Sequence, residues 1–270
     1  MNIDFTGKTL VMGILNVTPD SFSDGGKYSF LENAVAHAQK MVEEGADIID
    51  VGGESTRPGH QQISIEEEIA RVVPAIKAIK EELDIVLSID TYKSQVAEAA
   101  IAAGADIIND IWGAKYDPAI AAVAAKHQVP LILMHNRNDT LYTDFWDEVK
   151  SDIDKSIRTA IQAGVKKEQI WLDPGIGFGK DTHQNIKMMQ LLGEFVGLGY
   201  PVLLGTSRKS LIGKVLDVPV DERLEGSLAT ACYGAGKGCS VVRVHDVLET
   251  VRALRMTDIL NGKVKYQEAE

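Results

Sequence analysis

The stretch Leu10-Val11-Met12-Gly13-Ile14-Leu15-Asn16 is an apolar run that stops at a polar residue, and the same event recurs seven more times along the chain. Ile48 and Ile49 lead through Asp50 and Val51 to Gly52, then to Thr56 and Arg57. Residues 85–89 stop at Asp90, and Ile107 and Ile108 stop at Asn109 and Asp110. Residues 131–134 stop at His135, 170–172 at Asp173, and 202–204 at Gly205, ahead of Thr206, Ser207, Arg208 and Lys209. Val241 and Val242 meet Arg243, followed by Val244 and His245. Helical patterns separate the runs. In 30–45, Leu31, Ala34, Val35, Ala38, Met41 and Val42 recur at helical spacing before Gly45, a helix-ending residue. Segment 64–83 opens on Ser64 and Glu67, a capping-box pattern. Further helices are predicted over 93–103, 118–127, 146–163, 183–196, 222–235 and 247–260. Alternation of strand and helix argues for a parallel sheet, and strands of nearly continuous Val, Ile and Leu argue for burial on both faces. An open doubly wound sheet would meet both conditions, but it gathers ligand groups at one switch point. Eight units with a polar residue at every strand end favour a closed (β/α)8 TIM barrel, whose active site lies at that end.

Composition sets bounds on function. At 270 residues the chain fits one barrel domain, 1–270. Hydrophobic residues make up 45% and charged residues 25%, as a domain with a real core requires. A net charge of -11 argues against nucleic acid as a partner, so any anionic ligand must be caught by local cations. Cys232 and Cys239 form no C-x-x-C and read as small apolar thiols, which favours a reducing cytoplasm. No signal peptide is recognisable at the start. No segment nears the ~20 continuous apolar residues of a membrane span.

The strand ends carry the chemistry. Met12 to Gly26 runs from strand into a loop of Ser, Asp, Pro and Gly with Phe22 at its centre; an aromatic there suits a lid better than a solvated connection. Arg57, among Gly52, Gly53, Gly59 and Pro58, is placed for bidentate anion binding. Arg243 and His245 fall on one side of their strand and read as a cationic clamp at the barrel mouth, or, for Arg243, as half of a buried structural ion pair. Asp90, Asn109 and Asp173 could read the donor and acceptor edge of a flat heterocycle, or ligate a metal. With only His135 and His245 near strand ends and no H-x-H or H-E-x-x-H, zinc is disfavoured. The glycine-rich 173–180 segment lacks dinucleotide spacing. After the seventh run, Thr206 to Ser210 opens a short helix whose N–H groups, with Lys209, would attract an anion.

Taken together, 12–26, 47–59, 88–91, 106–110, 133–136, 171–180, 203–210 and 243–245 resemble the dihydropteroate synthases, at every strand end and in chain order. The resemblance implies displacement of pyrophosphate from hydroxymethyl-dihydropterin pyrophosphate by para-aminobenzoate, through a dissociative path. It implies Asp90, Asn109, Met134, Asp173, Lys209 and Arg243 around the pterin. Asn16, through a Mg²⁺ ion, with Arg57, Arg243 and His245 would hold the pyrophosphate. Phe22, Thr56, Pro58, Phe178 and Ser210 would surround para-aminobenzoate, in the subsite where the family binds sulfonamides, and Asp24 would face the cationic methylene. A homodimer is expected by the same analogy. Three rivals stand beside this reading: a methyltransferase using methyl-tetrahydrofolate, an idle pterin carrier, and a Schiff-base aldolase. The first has no use for Thr56, Arg57, Pro58, Lys209 and Ser210, the second could lose Asp24 and Arg57, and the third wants its lysine on a strand.

Overall fold

In a computed structural model, the structure describes residues 3–18, 27–54 and 62–266. Eight parallel strands form one sheet: β1 (Leu10–Asn16), β2 (Ile48–Gly52), β3 (Val86–Asp90), β4 (Ile107–Asp110), β5 (Leu131–Met134), β6 (Ile170–Asp173), β7 (Leu203–Leu204) and β8 (Val241–Val244). They are ordered β6-β5-β4-β3-β2-β1-β8-β7, every pairing between them parallel. The two edges meet through a parallel bridge between Leu172 and Val202, reinforced by Leu172 N–H donating to the Pro201 carbonyl at 2.9 Å. The sheet is a barrel, and the short β7 makes this its thinnest seam.

Side-chain alternation divides the strands between two cores. Outward residues such as Val11, Ile49, Val51, Leu87, Ile89, Ile108, Leu133, Leu172 and Val242 pack beneath the surrounding helices. Inward residues Leu10, Met12, Ile48, Ile107, Ile132, Trp171, Leu203 and Val241 fill the lower half of the barrel. Phe5 closes this floor, its ring set edge-on to Trp171 at 5.0 Å between centroids. Further along β2, β3, β4, β6 and β8 the same interior parity turns polar, at Asp50, Ser88, Asp90, Asn109, Asp173 and Arg243.

The helices are α1 (Lys27–Glu43), α2 (Ile65–Glu82), α3 (Ser94–Ala103), α4 (Ala119–His127), α5 (Phe145–Gln162), α6 (Thr182–Gln190), α7 (Leu192–Val196), α8 (Ser210–Leu216), α9 (Leu224–Gly236) and α10 (Val247–Leu260). Ser64 caps α2 by accepting from Glu67 N–H, and the chain leaves α3 through Gly104 at φ 118°, a left-handed position suited to glycine. Pro74 stays inside α2, where the missing backbone donor is outweighed by a buried face of Val72, Ala75, Ile76 and Ile79. The helix expected over 183–196 is two helices. The chain turns at Leu191, which lets Met188, on one side of the break, and Leu192 and Phe195, on the other, all be buried. The region expected to be helical from 222 begins as a 3-10 turn at Val220–Glu222 before α9. No helix among the described residues is long and apolar enough to cross a membrane.

Trp171→Ala should lower unfolding stability by about 3–5 kcal/mol in urea titration, because it removes one of the largest fully buried side chains and leaves a large cavity in the floor. A loss below about 1 kcal/mol would mean that the floor is not close-packed.

Candidate active site

Above that floor lies a buried electrostatic cluster. Arg243, rising from β8, donates from Nε to Asp50 Oδ2 at 2.6 Å and from Nη2 to Asp90 Oδ2 at 2.7 Å. Asn109 Nδ2 donates to the same Asp50 oxygen at 3.1 Å. Strand register explains the gathering: Asp90 is level with Asn109 and with Gly52, and Met134 is level with Asp173. Two carboxylates thus share one guanidinium away from water. Burial pushes the Asp90 carboxyl up to about 7, with Arg243 opposing and Asp50 adding to the rise. Asp50 Oδ1, Asp90 Oδ1 and Ser88 Oγ are buried polar oxygens without a hydrogen-bond partner among the described residues, an unusual concentration in one barrel interior. A flat ligand rich in N–H groups matches such a lining.

Across the barrel, Asp173 Oδ1 accepts from Gly175 N–H at 2.7 Å. Its carboxyl is raised by burial, against the pull of Lys209. Lys209 Nζ donates to the Ile176 carbonyl at 2.5 Å and stands 4.8 Å from the centre of the Phe178 ring. Burial brings the Lys209 ammonium down to about 8, with Asp173 resisting and Arg243 assisting. Asp173, Lys209, Arg243 and Asp90 therefore act on one another within one basin. Met134, Tyr92 and Ile111 form an apolar patch beside it, with Trp112 and Phe178 packed against them.

At the rim, His245 Nδ1 lies 3.0 Å from Ser207 Oγ, and Ser207 Oγ also accepts from the His245 backbone N–H at 3.1 Å. Arg208, at φ 55°, pairs with Asp246, holding the turn that leads into α8, where Ser210 is exposed at the first position. Arg243 lies within β8, and His245 follows one residue beyond its end. Arg243 is an ion-paired interior residue and His245 a solvent-facing one. Asn16 is exposed at the end of β1, its Oδ1 close to Gly52. Among the described residues no group of three or more His, Cys, Asp or Glu could hold a metal ion. A single amide oxygen fits a Mg²⁺ that keeps its waters and arrives with a diphosphate; it does not fit a protein-caged ion. Phe22, Asp24, Thr56, Arg57 and Pro58 lie outside the described residues.

Asp50 and Ser88 were not singled out from sequence as site residues, although an acid inside Ile48-Ile49-Asp50-Val51 was a readable signal: a carboxylate on the interior parity of a buried strand needs a partner. Lys180 and His135 also belong to the site's framework. Nothing in their spacing reveals that the two side chains touch. A cleft of about 460 Å³ lies at the opposite face of the barrel, lined by Phe5, Pro130, Trp171, Tyr200 and Pro201 among others, far from these groups.

Residues 12–245 match the family model described as pterin binding enzyme. The chain is 56% identical to a dihydropteroate synthase of Bacillus subtilis, over 97% of this chain and 92% of the relative. It is 59% identical to one of Clostridium beijerinckii over 94% of each. Among solved structures, a dihydropteroate synthase of Clostridium difficile determined in the presence of pteroic acid superposes with a TM-score of 0.93 at 53% identity, covering 96% of this chain and 99% of the other. One of Xanthomonas albilineans with 4-aminobenzoic acid gives 0.89 at 43% identity, covering 94% and 93%. With strands, basin and relatives in agreement, the chain belongs to the pterin-binding enzymes and, within them, to the dihydropteroate synthases.

Proposed function

We propose that the chain condenses para-aminobenzoate with hydroxymethyl-dihydropterin pyrophosphate, releasing dihydropteroate and pyrophosphate. The observation that carries this reading is the convergence of Asp90, Asn109, Asp173, Lys209 and Arg243 on one buried basin at the C-terminal end of the barrel. Solved relatives determined with pteroic acid, with 4-aminobenzoic acid and with a sulfonamide drug support it. The substrates are small molecules. The single barrel unit over 1–270, a cytoplasmic setting and a homodimer remain part of the proposal, by analogy with the family.

In this reading the amino-pyrimidinone edge of the pterin donates to Asp173 and Asp90 and exchanges hydrogen bonds with the Asn109 amide. The Lys209 ammonium donates to the ring carbonyl or a ring nitrogen, and Met134 gives a polarisable contact beneath. The hydrogen bonds of Arg243 Nε and Nη2 lie in the guanidinium plane, so its faces are left for stacking on the ring. The C–O bond to the diphosphate breaks first. Arg57, Arg243 and His245 stabilise the charge gathering on the leaving oxygens, and Asp24 balances the positive charge on the methylene. Mg²⁺, bound at Asn16, would neutralise diphosphate oxygens. The amine of para-aminobenzoate then attacks the methylene carbon, forming the C–N bond, and the proton released from nitrogen passes to solvent. Phe22, Pro58 and Phe178 would flank its ring, and its carboxylate would meet Ser210 and Thr56.

This function predicts stoichiometric pyrophosphate release when both substrates and magnesium are supplied, and none with either substrate alone. Methyl transfer from methyl-tetrahydrofolate to a corrinoid, in its place, would move the chain to the rival barrel. Asp24→Asn should reduce kcat about 100-fold or more with little change in pterin affinity, since its charge matters in the transition state. Asp173→Asn should instead weaken pterin binding by about 10- to 100-fold, measured by titration. The reverse pattern would overturn both assignments. Because the Lys209 ammonium must donate, kcat/KM for the pterin substrate should fall as pH rises through about 8. A Lys209→Arg enzyme that retains activity should lose that inflection.

A further inference from the structure

Lys180 takes no part in the reaction described, yet its side chain is buried and its three N–H groups are all used. Nζ donates to the Gly175 carbonyl at 3.0 Å and to the Phe178 carbonyl at 3.1 Å, and lies 2.7 Å from His135 Nδ1, to which the charged ammonium donates. Among the described residues no carboxylate is ion-paired with it. His135, on the far side, is fully buried, and burial lowers its imidazolium to about 4, so the ring is neutral. With Nδ1 accepting from Lys180, the proton sits on Nε2, which faces Asp152 Oδ2 at 3.6 Å. Asp173 favours the Lys180 charge, whereas burial, Lys209, Lys115 and Arg137 oppose it and hold the group near 7.

Resting on the pterin reading above, we propose that Lys180 is a positioning residue for the pterin substrate: it ties the 174–179 loop into a closed ring whose site-facing groups hold Lys209 and Asp173 in place. The Ile176 carbonyl and the Phe178 ring are the partners of Lys209, and they lie between and beside the two carbonyls that Lys180 grips. Gly175, whose carbonyl Lys180 holds, gives its N–H to Asp173. The ring is pressed onto β5 at Gly175, where φ is 67° and an added Cβ would meet the His135 carbonyl oxygen at 1.9 Å. Separate bonds fix the loop's outer side: Gly177 N–H to Asn185 Oδ1 and the Tyr142 hydroxyl to the Gly179 carbonyl, both at 2.7 Å. Loss of Lys180 should therefore loosen the inner ring and leave the barrel standing.

A double-mutant cycle tests this, read as the Kd for dihydropterin pyrophosphate by titration without an arylamine, alongside thermal unfolding. Lys180→Met should weaken binding about ten-fold in the native background and less than about two-fold in a Lys209→Met background, because its effect passes largely through Lys209. Lys180→Gln, which keeps two donors, should fall between native protein and Lys180→Met. A purely structural lysine would lower the unfolding temperature and give equal effects in both backgrounds. Equal effects, or unchanged affinity in folded Lys180→Met, would overturn the proposal. If Lys180→Met does not fold, Lys180→Gln in the two backgrounds decides by the same criterion. A native chain that fails to bind dihydropterin pyrophosphate would sink the functional reading itself, whereas native binding with an additive cycle would sink only the role of Lys180.

Discussion

The interior of this barrel depends on one guanidinium shared by two carboxylates. Arg243 is held by Asp50 and Asp90 where water is largely excluded. Desolvating three charged groups costs more than their attraction returns unless the geometry is good and the remaining polar atoms find partners. Here the shared arrangement leaves a deficit: an excess of negative charge and three buried oxygens without a donor among the described residues. A barrel floor of Leu, Ile, Val, Met and Trp gives the cluster no relief from below. The unsatisfied atoms make the cavity selective for a ligand that brings N–H groups and tolerates a carboxylate lining, as the amino-pyrimidinone ring of a pterin does.

The other half of the basin has the opposite design. Lys209 is a cation whose partners among the described residues are a carbonyl oxygen and an aromatic face, not a carboxylate in contact. Its charge is kept available, and burial lowers its proton affinity to a range where donation to a ligand is easy. The loop that arranges this is built from backbone carbonyls and glycines at positive φ, with Lys180 as its internal fastener. Anionic and cationic halves are thus carried by different elements, strands β2, β3 and β8 against the β6 loop and the turn before α8. Recognition of one flat ring requires both halves to be held at fixed separation, which a closed barrel does through its hydrogen-bonded register.

Much of this was legible residue by residue. Apolar runs ending in Asp90, Asn109 and Asp173 identified three of the interior polar positions, because strand parity is a local property. Ser64 marked a helix start for the same reason. The turn at Leu191 was not legible, since it depends on which face of the segment the core can accept. The ion pairing of Arg243 stood in the sequence as one of two alternatives. The structure places it with Asp50 and Asp90, which does not conflict with a role at the ligand, because the planar faces of the group are left over.

Sequence alone determined the alternation of strands and helices, the two faces of each strand, the polar residue at each strand end, and the family to which these belong. These follow from periodicity and residue type, which act over a few residues. Only the tertiary structure decided that Asp50 sits under Asn109 and beside Arg243, that Ser88 and two carboxylate oxygens are left without donors among the described residues, and that Lys180 reaches His135 across 45 positions of chain. Contacts of that kind are set by barrel closure and strand stagger, and no local pattern encodes the distance between side chains on different strands.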